Sequence, residues 1–302
     1  MTWAGTEYLR YAPRENVTGG TVLPENVRTA VAVGSQVFAA NNRGEASIFR
    51  PSDQVSASWN ASFGINGATV RGSIVWCRTS YRTSTSYGGG HNDGIAAFDM
   101  SSGANTETLF VAGGSPAFVP ASELASIGAS IYSRLWKFNR STSTFTGWAD
   151  LGRDPFTENP RADGSLLMTL SGASLRFHNT SDGSVASSVT LATAPLVALP
   201  ARLGDVLWFP TASATQVGYN VVTATPVVRA TSPSGMPAPA AAWVAHSDGF
   251  LYAFSASNKL LCLDPATGRW KADTLPVSRA TRYPLVSVGG ELWTAAVEPT
   301  TW

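Results

Sequence analysis

The 302-residue sequence predicts an all-β chain assembled from repeated four-stranded antiparallel units, and three observations predict it. The composition is rich in small hydroxyl residues, with 34 Ser and 30 Thr, alongside 28 Gly and 18 Pro, which favours strands and turns over helices. Short apolar stretches bounded by Gly, Pro, Asn or Asp recur along the chain, the signature of strands. Finally, distant segments of the chain align with one another at a period of about 40 to 50 residues.

In chain order the strand segments are Ala32-Val33 with Val37 to Ala39, Ser73 to Cys77, Leu135 to Phe138, Asp205 to Phe209, Phe250 to Phe254 and Glu291 to Thr294. Pro120 to Tyr132 (PASELASIGASIY) alone has helical character and is expected to form a turn or two of helix inserted in a loop. Residues 260 to 297 align with residues 7 to 42: an apolar strand, a turn, a second strand, Leu-Pro, an Arg and an apolar pair of strands. Placing the last strand of each unit near Val22, Trp59, Leu109, Trp148, Thr190, Val228 and Thr274 gives spacings of 37, 50, 39, 42, 38 and 46. The wrap from Thr274 through the C-terminus to Val22 is 50. Seven such units form one seven-bladed β-propeller over residues 1–302, since this is the period of four-stranded propeller blades. The last blade is shared between residues 1–23 and 283–302, with Glu7 to Val22 pairing onto Tyr283 to Val297 so that ring closure leaves no open sheet edge there. Two separate β-sandwiches are the alternative, but they give no reason for residue 7 onward to match residue 260 onward.

With 44% hydrophobic and 14% charged residues, against about 25% charged in an average soluble domain, the chain can bury a large core. Its 21 Lys+Arg and 20 Asp+Glu leave a net charge of +1, without the basic excess that phosphate neutralisation needs, so nucleic acid is not an expected partner. Cys77 and Cys262 lie 185 positions apart and suggest neither a disulfide framework nor a metal site. No stretch of about 18 apolar residues predicts membrane insertion.

Residues 247 to 276 (SDGFLYAFSASNKLLCLDPATGRWKADTLP), 85 to 100 (TSYGGGHNDGIAAFDM) and 135 to 151 (LWKFNRSTSTFTGWADL) resemble blades of the kelch and galactose-oxidase-like propellers. The GGGHND variant is similar to propeller proteins of tailed bacteriophages. Three histidines, His91, His178 and His246, spread over three blades, do not supply a copper site of the galactose-oxidase kind, and no cofactor or metal is expected.

Two features stand out as candidate ligand-binding residues. An arginine recurs before the innermost strand, as Arg28, Arg71, Arg161, Arg202 and Arg282, and a ring of guanidinium groups at one mouth would take a carboxylate or sulfate bidentately. Alternatively, each arginine donates to carbonyls of a neighbouring blade, and the sequence favours that structural role. The segment Tyr87 to Gly94 joins three glycines to His91, Asn92 and Asp93, a mixed donor and acceptor set suited to a sugar or a protein epitope, or else a tight turn bonded to the next blade. Asp93, Glu158 and Asp163 are the carboxylates that could reach the same mouth for glycoside hydrolysis, which needs a pair about 5–10 Å apart. Asp264 to Gly268 reads as a turn with Asp capping.

The expected function is a non-catalytic binding or assembly propeller, a structural or host-recognition part of a phage virion. Its partners would be other protein subunits and a host-surface glycan, and its location the virion. A glycan hydrolase or lyase at the propeller mouth is one alternative, and an intracellular, cytoplasmic kelch-type adaptor is another.

Overall fold

A computed structural model describes residues 27–50, 56–60, 64–82, 91–101, 104–112, 115–119, 124–128, 133–139, 144–150, 161–163, 166–179, 184–196, 200–212, 214–257, 259–274 and 285–294. All regular structure in these residues is strand. The first sheet contains β1 (Thr29–Val33), β2 (Gln36–Ala40), β3 (Glu45–Phe49) and β4 (Ser56–Asn60). The second contains β5 (Gly64–Arg71), β6 (Ile74–Arg82), β7 (His91–Asp99) and β8 (Ala104–Ala112). The third contains β9 (Ser115–Val119), β10 (Leu124–Gly128), β11 (Ser133–Asn139) and β12 (Thr144–Asp150). The fourth contains β13 (Arg161–Asp163), β14 (Leu166–Ser171), β15 (Ser174–Asn179) and β16 (Val185–Thr190). The fifth contains β17 (Ala201–Leu203), β18 (Val206–Phe209), β19 (Thr215–Asn220) and β20 (Thr225–Ala230). The sixth contains β21 (Val244–Ala245), β22 (Leu251–Phe254), β23 (Lys259–Leu263) and β24 (Trp270–Thr274), and β25 (Leu285–Val288) pairs with β26 (Glu291–Thr294). Every four-stranded sheet is an antiparallel meander with its strands in chain order.

The outer strands fall where the repeat spacing put them: β4 holds Trp59, β8 Leu109, β12 Trp148, β16 Thr190, β20 Val228 and β24 Thr274. Of the strand segments read from the sequence, those at Ser73 to Cys77, Asp205 to Phe209, Phe250 to Phe254 and Glu291 to Thr294 fall on second strands, joined to the first by tight turns, while Leu135 to Phe138 falls on β11, the third strand of its sheet. Val33 pairs with Gln36 and Leu203 with Val206, and the intervening Gly34 and Gly204 adopt φ of 59° and 58°, which a side-chain-bearing residue resists. Within Pro120 to Tyr132, where a turn or two of helix is expected, the described residues Leu124–Gly128 are instead β10, paired with β9 on one side and β11 on the other. Its backbone donors and acceptors are satisfied by two neighbours, a gain that overrides a weak local helical pattern.

The core lies between sheets rather than inside one. Phe38, Ala40, Ala46 and Ile48 of the first sheet pack against Ile65, Val75, Cys77, Ala96, Phe98 and Met100 of the second, with the Phe38 and Phe98 rings 5.3 Å apart. Met168, Leu170, Leu175 and Phe177 meet Leu207, Phe209, Val217 and Tyr219 at the next described junction. On β18, Leu207 and Phe209 serve the fourth sheet while Trp208 serves the sixth. On β22, Leu251 and Ala253 face the fifth sheet, and Tyr252 and Phe254 pack with Leu285 and Leu292 of β25 and β26. Strands buried on both faces read as continuous apolar runs, which is why VLWF, LYAF and LLCL contain no polar alternation. Each fully buried Phe or Leu in these junctions stabilises the fold by about 1.5–3 kcal/mol.

The first strands run beside one another: β1 by β5, β5 by β9, β9 by β13, β17 by β21 and β21 by β25. β25 also lies beside β1, and Val286 and Val288 pack on Val37 of the first sheet. Residues 7 to 22, expected to pair with the last strands, lie outside the described residues.

Candidate functional site

The strand register separates the residues expected to share one mouth. Arg71 is the last residue of β5, opposite Ile74 at the β5–β6 turn, whereas His91 opens β7 opposite Arg82 at the other end of β6. Those positions are eight residues apart along β6, or about 26 Å at roughly 3.3 Å per residue. Arg202, opposite Leu207, is likewise next to its turn; it is exposed and its Nε donates to the Gly204 carbonyl at 3.2 Å. Arg161 pairs with Met168 two residues before its turn. Arg28 is exposed at the opposite end of its sheet, its backbone N–H donating to Ala40 O. A common depth requires a fixed offset between arginine and turn, but Arg28 lies six positions before Gly34, Arg71 one before Gly72 and Arg202 two before Gly204. The described arginines therefore form no single collar. Arg282, Tyr87 and Glu158 lie outside the described residues.

His91, Asn92 and Asp93 belong to a strand, not a loop. β6 is long enough to carry the hairpin to Arg82, so Asn92 pairs with Tyr81 and Ala112, and Asp93 with Ser80 and Val111. Asp163 stands opposite Leu166 at the β13–β14 turn, in a different sheet from Asp93 and at the other strand end, so these two carboxylates are not a pair. The Asp264 turn matches its sequence reading: Oδ1 accepts from the N–H of Ala266 at 2.8 Å, and Oδ2 from the Thr267 hydroxyl at 2.5 Å.

The fold assembles a polar cluster that no local motif announced. His246 Nδ1 lies 2.7 Å from Ser287 Oγ, joining the sixth sheet to β25. Beside it, Tyr252 donates its hydroxyl to Asp248 Oδ2 at 2.7 Å, and its ring meets the His246 ring edge-on at 5.7 Å. Burial first, then the bond to Asp248 and the neighbouring Cys262, push the Tyr252 phenol well above its usual range. Asp248 Oδ1 also accepts from the Phe250 N–H at 3.0 Å. The His246–Ser287 bond ties the two sheets together, and the Asp248 bonds brace the β21–β22 turn beside it. Among the described residues no group of three or more His, Cys, Asp or Glu could hold a metal ion.

Exposed apolar side chains occur on the outer strands of the fourth and fifth sheets. Large hydrophobics exposed among the described residues are Val185 (56%), Leu196 (41%), Val222 (70%) and Val228 (48%), all on these two sheets or the linker between them. Single exposed valines are ordinary; here Val185 and Val228 stand on β16 and β20, outer strands that lie beside each other. Local bonds hold them in place. Asn220 Oδ1 accepts from the N–H groups of Val222 and Thr223, both at 2.9 Å, fixing the turn that presents Val222. The Asn179 side chain donates to Ser184 Oγ at 2.9 Å before Val185, and Leu196 N–H donates to Pro210 O at 2.8 Å.

No known protein-family profile matches the chain, and no curated protein does. Among solved structures it is similar to U3-55K, with a TM-score of 0.61 at 10% identity, covering 92% of this chain and 90% of that one. It is also similar to a chain of a mitotic checkpoint complex, with a TM-score of 0.59 at 12% identity, covering 92% and 86%. Both are β-propeller proteins. The chain has a β-propeller fold. The propeller's radial sheets explain why its core is divided among junctions and why the fourth strand of each described sheet is an outer edge.

Proposed function

We propose that this propeller is a non-catalytic binding and assembly module that engages protein partners through the outer rim of its fourth and fifth sheets. The observation that carries the reading is the exposure of Val185 and Val228 on the adjacent outer strands β16 and β20, with Val222 exposed in the turn that leads into β20. The ring has seven blades, the last completed by residues 7 to 22 as outer strands on β25 and β26. Two facts support this: the packing of Val286 and Val288 on Val37, and the alignment of residues 7 to 42 with residues 260 to 297. The finer assignment is a structural or host-recognition component of a phage virion, and its support is the likeness of the GGGHND segment to phage propellers.

The test is incorporation into particles. The wild-type chain should be recovered in stoichiometric amount with purified virions of the phage that encodes it, and the double variant Val185→Asp, Val228→Asp should fold normally but be left behind. Equal incorporation of the two would remove the rim from the account; absence of the wild-type chain from particles would remove the virion role.

A further inference from the structure

Outer strands are edges, hydrogen-bonded on one side only, and chains guard such edges with charge or proline. Most of the described outer strands are guarded: β8 carries Glu107, β12 Asp150, β20 Pro226 and Arg229, and β24 Lys271 and Asp273. β16, Val185-Ala-Ser-Ser-Val-Thr190, carries neither charge nor proline, and all its residues are exposed except half-buried Val189. β4 is also unguarded but one residue shorter.

The register shows which backbone groups of β16 face outward. Leu191 donates its N–H to Ala173 O at 2.8 Å, and Val189 stands opposite Leu175, Ser188 opposite Arg176 and Ser187 opposite Phe177. Antiparallel pairing alternates, so Val189 and Ser187 turn their amides and carbonyls toward β15, while Ser188 and Thr190 turn theirs away from the sheet. The strand thus presents outward-facing donors and acceptors bordered by apolar and hydroxyl side chains.

We propose that β16 pairs antiparallel with β16 of a second copy of this chain, forming a two-fold dimer; this rests on the scaffold reading above. The choice of occupant follows from charge. Two-fold pairing of a strand with its own copy brings like residues close together, which penalises a charged strand, and β16 has no charge to repel. A two-fold axis through Val189 sets Ser188 opposite Thr190 of the second copy, so their outward N–H and C=O groups exchange hydrogen bonds. The exposed valines border the new strand pair.

The experiment is sedimentation velocity on the full chain over a concentration series, with Ser188→Pro and Ser188→Lys alongside. Proline removes an outward N–H without touching the ladder to β15, a placement edge strands tolerate, and lysine sets like charges near each other. The wild-type chain should sediment as a dimer, and both variants should weaken dimerisation by about tenfold or more with melting unchanged. A wild-type chain that stays monomeric throughout overturns the proposal, as does a dimer that survives both substitutions. Either result leaves the scaffold reading intact, because particle incorporation tests that separately.

Discussion

Gly268 sits where the fifth sheet is fastened to the sixth, and replacing it with alanine should loosen that fastening. Its φ of 75° is one that an L-residue resists at a cost of about 1–2 kcal/mol. A Cβ at this position would also overlap the carbonyl oxygen of Ala230, far inside the 3.0 Å below which real Cβ atoms essentially never approach, so the backbone must move. The bonds that hold the linker to the Asp264–Arg269 turn would move with it. They are Ser232 N–H to Gly268 O at 2.9 Å, Trp270 N–H to Ser232 O at 3.3 Å, and the Trp270 indole N–H to Pro233 O. Losing two or three bonds at about 1 kcal/mol each brings the total to roughly 3–5 kcal/mol. At about 2–4 °C per kcal/mol, Gly268→Ala should lower the melting temperature by about 6–20 °C. Gly235→Ala is the control: φ there is 86°, but no atom lies within 4 Å of the added Cβ, so only the conformational cost applies, about 2–8 °C. Thermal melts followed by circular dichroism decide the matter. If the two variants melt within about 3 °C of each other, the linker is not fastened as described.

Two further outcomes follow from the same geometry. His246→Phe and Ser287→Ala should each cost about 1 kcal/mol in chemical denaturation, and the double variant no more than the larger single one, because both remove one bond; full additivity would deny the bond. Burial pushes the Cys77 thiol well above its ordinary 9.0 and raises Tyr252 above 10.0, so the stability these groups contribute is complete below those values and is lost as pH rises beyond them. The melting temperature should be flat near neutral pH and fall from about pH 9 upward; a flat alkaline limb would contradict it.

Strand positions were legible in the sequence because propeller strands repeat at a nearly fixed interval and the second strands are buried on both faces. Runs such as Val206 to Phe209 and Leu251 to Phe254 have no other simple reading. Leu124–Gly128 was misread because a five-residue apolar stretch fits either period, and only its two strand partners decide. The arginines were misread for a different reason: recurrence near a turn does not fix depth along a strand, and Arg28 and Arg71 differ by the whole length of one. The bond between His246 and Ser287 spans 41 positions and two sheets, so no local spacing could reveal it. The exposed valines of β16 and β20 look like core residues until the sheet order shows that these strands have no outer neighbour.

The ring itself is tested most directly by removing residues 1 to 22 and comparing melting temperatures. If those residues complete the seventh blade, the truncated chain leaves β25 and β26 as a two-stranded sheet with an open edge beside the first sheet, and its melting temperature should fall markedly below that of the intact chain. A truncated chain that melts at the same temperature would contradict closure through the termini.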